Sequence, residues 1–175
     1  ELARLAHEVN NGAAQQMFSQ KYFKLTKDID LSKGLWTPIG TAQGIAKASD
    51  GHFFAGKFDG DGHSVSNLLI KWSFNTAKEA SWGLFARLNG KGNNENEYAA
   101  VTNLIIDNAL IEKLEAHMPL NNANYTVKMG IVVADMTQNA ELSNIIIRNS
   151  KISDNNESYT TKTKFRIGGI AGYLN

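Results

Sequence analysis

The chain has 175 residues, enough for one domain with a real core, and its 42% hydrophobic and 20% charged residues are ordinary for a folded globular chain. The formal net charge is +1 with the basic residues scattered, so the composition indicates neither a nucleic-acid partner nor an anionic membrane partner. The absence of cysteine excludes disulfides, thiolate nucleophiles and cysteine-bound zinc, and no apolar run is long enough to span a bilayer.

The first predicted element is an amphipathic helix near the N-terminus. Its apolar residues at helical spacing are Leu2, Leu5, Ala6 and Val9. The run Asn10-Asn11-Gly12 is typical of a helix end. Such a helix can cover the open end of a stack of strands, whose unpaired backbone would otherwise recruit another strand. We therefore predict a capping helix within residues 1–20 and strand repeats over residues 21–175.

A six-residue phrase with a central asparagine recurs along the repeats. Its copies are VSNLLI at residues 65–70, VTNLII at 101–106 and LSNIII at 142–147. In the first copy Val65, Leu68 and Ile70 cannot all face one side of a flat strand, whereas a corner at Asn67 allows it. Asparagine tolerates the left-handed backbone conformation that such a corner needs.

Stacked corners can bond to one another through their side-chain amides when the strands are at sheet spacing. In a more divergent first copy, residues 25–31, Asp28 stands where the other copies have asparagine. We therefore predict a corner ladder of Asp28, Asn67, Asn103 and Asn144. The sequence also suggests a second corner at Asn108 and Asn149.

A glycine-containing segment forms the other half of the repeat. Its three copies are Trp82–Leu88, Gly130–Met136 and Gly168–Leu174. In each copy large and small apolar residues alternate, which predicts a strand with one buried face. The opposite face carries Arg87, Asp135 and Tyr173 in one column, which we expect to face solvent.

Column-by-column repetition predicts an all-β fold, specifically a right-handed parallel β-helix with a short N-terminal capping helix. The alternative is a sandwich or barrel of hairpins, and the turn pairs Asp59-Gly60 and Asn89-Gly90 supply part of that signal. Repeated columns favour the β-helix because stacked strands need them and hairpins do not. The polar segments at 92–98, 115–126 and 154–164 are predicted loops.

The stretches KLTKDIDLS, WTPIG, FAGKFDGDGHSVSNLLI, GLFARL and GGIAGYL resemble the GLUG-motif β-helix modules of bacterial surface proteins of the Bacteroides type. The chain is similar in this respect to the β-helix region of IgA1-protease-like proteins. The likeness runs from Leu2 to Leu174, although GIVVADM at 130–136 departs from the family's glycine-rich pattern. The resemblance implies an extracellular or cell-surface module that serves as stalk, spacer or binding surface. It implies no catalytic activity for this segment.

Metal and cofactor motifs are incomplete, and we predict neither a metal nor a cofactor. His7-Glu8 begins like the zinc-protease motif, but position 11 is asparagine instead of the second histidine. The other histidines, His52, His63 and His117, lack ligand spacing. The DGDG string that contains Asp59 and Asp61 looks like part of a calcium loop, but Ile70 stands where the bidentate glutamate belongs. A role in a turn is the stronger interpretation of that string.

The sequence predicts a non-catalytic spacer or adhesion module that binds host protein or glycan. Trp36 and Trp72 are candidates for stacking on sugar, although a structural role is the preferred interpretation of each. The alternative is a polysaccharide-cleaving β-helix enzyme, or an accessory part of an IgA1-protease-like protein. That alternative needs clustered carboxylates or a basic residue on one outward column, whereas the column of Arg87, Asp135 and Tyr173 carries unlike residues that do not make a site. The last glycine segment has no asparagine phrase after it. We therefore expect the natural polypeptide to continue past Asn175 with further repeats or domains.

Overall fold

Strands make up most of the chain, as the all-β prediction requires. The computed structural model describes residues 1–12, 16–40, 52–72, 79–90, 98–113, 125–137, 139–153 and 163–174. The elements are α1 (Leu2–Asn11), β1 (Gln16–Met17), β2 (Tyr22–Lys24), β3 (Ile29–Asp30), β4 (Phe53–Phe54), β5 (Lys57–Asp59), β6 (Ser64–Ser66), β7 (Leu69–Trp72), β8 (Glu79–Trp82), β9 (Phe85–Asn89), β10 (Ala99–Asp107), β11 (Leu110–Lys113), β12 (Tyr125–Gly130), β13 (Val133–Thr137), β14 (Ala140–Arg148), β15 (Lys151–Ser153), β16 (Thr163–Gly168) and β17 (Ala171–Leu174). None of the described helical residues forms a segment long and apolar enough to cross a membrane.

The strands form four sheets, and every pairing between described strands is parallel. The sheet orders are β1-β4-β9-β13-β17, β2-β5-β10-β6-β3 with β14 also on β10, β15-β11-β7, and β16-β12-β8. Parallel neighbours cannot be joined by a tight hairpin. The hairpin-built sandwich or barrel therefore does not describe these strands. Most of the three predicted loop segments lies outside the described residues.

The predicted alignment of the glycine segments is confirmed within β9, β13 and β17, whereas Trp82 of β8 pairs with Met129 and not with Gly130 as the alignment had it. Asp135 pairs with Arg87 on one side and with Tyr173 on the other. The expectation that this column faces solvent is wrong, because Asp135 is only 1% exposed. Lys128 of β12 reaches its carboxylate at 2.7 Å, since the sheet β16-β12-β8 packs over this face. β13 is thus buried on both faces.

The predicted alignment of the asparagine phrases is wrong for the first copy. The second and third copies do pair in register, with Val101 opposite Leu142. Val65, however, pairs with Ile106 and not with Val101. β10 is nine residues long and spans two columns, so its first part pairs with β5 and its last part with β6. Two different corners look alike in sequence because each needs a left-handed asparagine between inward apolar residues.

Helix α1 packs its predicted apolar stripe into the core. Its buried residues are Leu2, Leu5, Ala6 and Val9. The helix is fastened by Asn10, whose Nδ2 donates to the Pro38 carbonyl at 2.9 Å and whose Oδ1 accepts from the Gly40 N–H at 2.7 Å. It ends at Asn11, and β1 already pairs with β4. Only the first part of the predicted capping segment 1–20 is therefore helical.

Candidate functional site

The chain turns its corners at asparagines in the left-handed conformation, as the sequence predicted. The corner asparagines have φ angles between 51° and 58° and are Asn67, Asn103, Asn108, Asn144 and Asn149. Residues with a Cβ normally avoid this region of backbone conformation. The energetic cost is smaller for asparagine than for most residues, because its short amide side chain forms local hydrogen bonds. The backbone therefore selects asparagine at each corner, and the amide side chains remain available for bonds between repeats.

Among the described residues, five side-chain hydrogen bonds connect the corners of successive repeats, and we call them the corner ladder. Each is donated by the Nδ2 of a later asparagine to an oxygen of an earlier residue. The donor and acceptor pairs are Asn67 to Asp30 (2.8 Å), Asn103 to Asp59 (2.9 Å), Asn108 to Asn67 (2.7 Å), Asn144 to Asn103 (2.8 Å) and Asn149 to Asp107 (2.9 Å). The sequence separations are 37, 44, 41, 41 and 42 residues, which is the repeat length of this chain.

The direction of the ladder is set by the aspartates at its start. An ionised carboxylate only accepts, so Asp59 requires Asn103 to turn its Nδ2 toward it. The Oδ1 of Asn103 then faces Asn144, which must donate in turn. Asp30 sets the direction of Asn67 and Asn108 in the same way. Hydrogen bonds hold the pKa of both carboxyls below the usual value, from Tyr22 and Asn103 at Asp59 and from Asn67 at Asp30.

The predicted ladder members are only partly brought together. Asn103 and Asn144 are bonded directly, whereas Asn67 lies in the other column with Asn108. Asp28 is not in the ladder, because Ser64 donates its N–H to it at 2.7 Å and His63 Nδ1 lies 3.4 Å away. Asp30 takes the acceptor role that we predicted for Asp28.

Sequence reasoning missed the three aspartate acceptors, and a register rule identifies them. Asp30 pairs with Ser66, Asp59 with Thr102 and Asp107 with Arg148. Each partner is the residue just before a corner asparagine. An aspartate opposite that position therefore reaches the asparagine amide of the following repeat. The signal is present in the sequence but depends on the register, which the phrase alignment misassigned.

The tryptophans proposed for glycan contact are buried. Trp36 is 8% exposed and donates its Nε1–H to the Leu84 carbonyl at 3.0 Å, and Trp72 is 0% exposed with its ring against Phe165. β7 extends through Trp72, so alternation places Trp72 on the same inward side as Ile70. The burial agrees with the preferred structural interpretation and disfavours sugar stacking, because neither side chain presents a ring face to solvent.

The carboxylates of the DGDG string are bonded to protein donors. Asp59 Oδ1 accepts the Asp61 N–H at 2.8 Å and the Asn103 amide, and Tyr22 donates its hydroxyl to the other oxygen. Asp61 contacts Lys24 Nζ at 2.9 Å. Asp61 and Gly62 both have positive φ, which is the geometry of a turn. Within the described ranges no group of three potential metal ligands occurs, and His117 lies outside those ranges.

A concave region lies between α1 and the first strands, and we call it the N-terminal groove. It has a volume of about 470 Å³, an apolar floor that includes Leu5, Phe23 and Ile29, and the carboxylates Asp28 and Asp30 at its rim. Hydrogen bonds lower the pKa of both carboxyls, chiefly from the Ser64 backbone at Asp28 and from Asn67 at Asp30. A general acid needs a raised pKa, so neither group is suited to donate a proton near neutral pH.

A buried group of charges, which we call the ion cluster, holds two sheets together. Asp135 Oδ2 lies 2.7 Å from Lys128 Nζ and 3.6 Å from Arg87 Nε. Lys128 also lies 4.9 Å from the centre of the Tyr173 ring, with the Arg166 guanidinium 3.8 Å from the same ring. A charge inside the apolar run GIVVADM was the sequence signal for it. The cluster joins β12 to β13 through two buried charged side chains, Lys128 and Asp135, so its chemistry is that of an internal ion pair.

Comparisons with known proteins identified no relative of this chain. No protein-family model matches the chain, and neither the curated proteins nor the solved structures contain a match. The resemblance to GLUG-motif modules therefore stays a prediction from the sequence.

Proposed function

We propose that the chain is a right-handed parallel β-helix module that acts, without catalysis of its own, as a rigid spacer or adhesion surface of a larger bacterial protein at the cell surface. The observation that carries this proposal is the directional corner ladder between in-register parallel repeats. Each repeat is bonded to the one before it through backbone and side chains together, which favours a stiff stack. Right-handedness follows from the strong preference of crossover connections between parallel strands.

The stacking itself is testable with engineered disulfides, since the chain has no cysteine. Lys71 and Glu112 pair in register on β7 and β11, and their side chains are partly exposed with Nζ and Oε1 3.3 Å apart. Adjacent parallel strands lie about 4.8 Å apart, within the Cα separation that a disulfide needs. The double variant K71C/E112C should oxidise to a disulfide within one chain.

The control pair is K71C/K151C. Lys151 pairs with Leu110, which itself pairs with Leu69, so Lys71 and Lys151 are two layers apart and offset along the strand. This pair should stay reduced. Disulfide formation in the control pair, or its absence in K71C/E112C, would contradict the stacked β-helix.

The enzyme alternative receives little support from the N-terminal groove. Asp28 and Asp30 are hydrogen-bonded at its rim and their pKa values are lowered, which opposes the general-acid role that cleavage of a glycosidic bond requires. Purified protein should release no reducing ends or unsaturated products from acidic polysaccharides, with or without added calcium. Turnover by the unmodified protein that is lost in Asp28→Asn or Asp30→Asn would contradict the spacer proposal and support the enzyme alternative.

The adhesion part of the proposal is tested by binding. The protein would be screened on a glycan array and against a panel of host extracellular proteins. Binding that is retained in Trp36→Phe would support adhesion through a surface other than the buried tryptophans. Absence of all binding would leave the spacer role alone.

A further inference from the structure

The last strand of each stack leaves apolar side chains uncovered, and we call the surface formed by β14, β15, β16 and β17 the C-terminal edge. Each of these strands pairs with one described strand, on its inner side. Ile167 is 52% and Leu174 67% exposed, although their register partners Met129 and Met136 are much better covered. The core therefore remains open at this edge.

The same contrast holds at the corners of this edge. Leu104 and Ile106 are fully buried. Their register partners on β14, Ile145 and Ile147, are only partly buried. Ile146 is among the exposed large apolar residues. What covers Leu104 and Ile106 is the next layer of strands, and β14 has no such layer among the described residues.

The corner ladder gives this edge a chemical polarity. Asn144 and Asn149 both use their Nδ2 groups on earlier residues. Their Oδ1 atoms accept no hydrogen bond from a described residue, so the edge presents two amide oxygens as acceptors. A layer that covers the edge must bring a donor to each of them.

We propose that the C-terminal edge is a docking surface for one further layer of parallel strands whose two corner residues are asparagines. This inference rests on the proposed β-helix and names the partner of its open end. Backbone groups of β14 and β15 would pair with the added strands, and the exposed isoleucines would be buried beneath them. The corner amides would supply the specificity.

A second copy of this chain fits the edge poorly. Stacked head to tail, it would present its first repeat, whose ladder member Asp30 is a carboxylate that only accepts. Oxygen would then face oxygen at that corner. Helix α1 also packs beside those first strands and contributes to the N-terminal groove. The added layer is therefore a polypeptide segment with asparagine corners.

A synthetic peptide that contains such a layer tests the proposal on the unmodified protein. Residues 98–113 include β10 and β11 with both corner asparagines, Asn103 and Asn108. Titration of this peptide should show saturable binding, and hydrogen exchange should show protection of β14 and β15 amides. The control peptide carries Asn103→Asp and Asn108→Asp, which keep the shape and remove both donors.

The control peptide should bind at least about tenfold more weakly, the ratio that corresponds to roughly 1.4 kcal/mol. Equal binding of the two peptides, binding without protection of β14 and β15, or no binding would overturn the proposal. Self-association of the protein that the peptide cannot displace would assign the edge to a second copy instead. Failure here with a successful K71C/E112C disulfide would leave the β-helix intact, so the two proposals fail separately.

Discussion

Asn103 donates its Nδ2 to Asp59 Oδ1 over 2.9 Å, from a position 44 residues later in the chain. This single bond orients the amide of Asn103, whose Oδ1 then accepts from Asn144 at 2.8 Å. A carboxylate at the start of the column thus imposes one hydrogen-bond direction on the asparagines that follow. An undirected ladder of amides would have no such preference.

The direction of the ladder predicts that asparagine and aspartate are not interchangeable at its positions. Asn103→Asp should lower the free energy of unfolding by about 1–3 kcal/mol, because the new carboxylate cannot donate and would face Asp59. Aspartate tolerates the left-handed backbone at this corner, so the loss would come from the side chain. Urea denaturation at neutral pH measures it.

The matched control for that variant is Asp59→Asn. An amide oxygen at this position can still accept from Asn103, so the loss should be clearly smaller than for Asn103→Asp. Equal losses in the two variants would argue against a directional ladder.

The lowered pKa values of Asp30 and Asp59 predict acid sensitivity. A carboxyl whose pKa is lower in the folded than in the unfolded protein contributes stability above the unfolded value, near pH 3.9 for aspartate, and loses it as the pH falls through the folded value. Asp30→Asn keeps an oxygen acceptor and removes the titration. Its melting temperature should therefore fall less steeply between about pH 5 and pH 2 than that of the unmodified protein.

Glu141→Gln is the control for the acid experiment, since Glu141 is exposed on β14 and outside the ladder. Its pH profile should follow that of the unmodified protein. A flattened profile in this variant and not in Asp30→Asn would contradict the role assigned to the ladder carboxylates.

The ion cluster predicts a large penalty for removing its one carboxylate. Asp135→Asn leaves Lys128 and Arg87 facing each other in a buried site, which should cost about 3–5 kcal/mol. Glu112→Gln breaks the partly exposed pair with Lys71 and should cost about 0–1 kcal/mol. Guanidinium denaturation distinguishes them, and similar midpoints would mean that Asp135 is solvated.

Close approach of two strands explains the glycine that ends β12, Gly130. A Cβ at Gly130 would lie 2.1 Å from the Val133 carbonyl oxygen, whereas one at Gly169 would meet nothing within 4 Å. Gly130→Ala should therefore cost about 1–3 kcal/mol or more through backbone displacement. Gly169→Ala should be nearly neutral. Thermal melting of the two variants provides the comparison, and equal melting temperatures would contradict this packing.

The sequence by itself determined the features that depend on near neighbours. The apolar stripe of α1 follows from helical spacing, and the left-handed corners follow from the conformational tolerance of asparagine. The alignment of the glycine segments was also readable, because apolar residues of the same size recur at the same offsets in β9, β13 and β17.

Only the tertiary structure decided which corner stacks on which and which charges are buried. Asp59 pairs with Thr102 and Ser64 with Ile105, so the four residues 60–63 occupy the place of the two residues 103–104 in the next repeat. A turn of different length shifts the register without changing the local pattern, which is why Asn67 was assigned to the wrong column. The burial of Asp135 depends on a second sheet that packs over its strand, and alternation along one strand carries no information about that sheet.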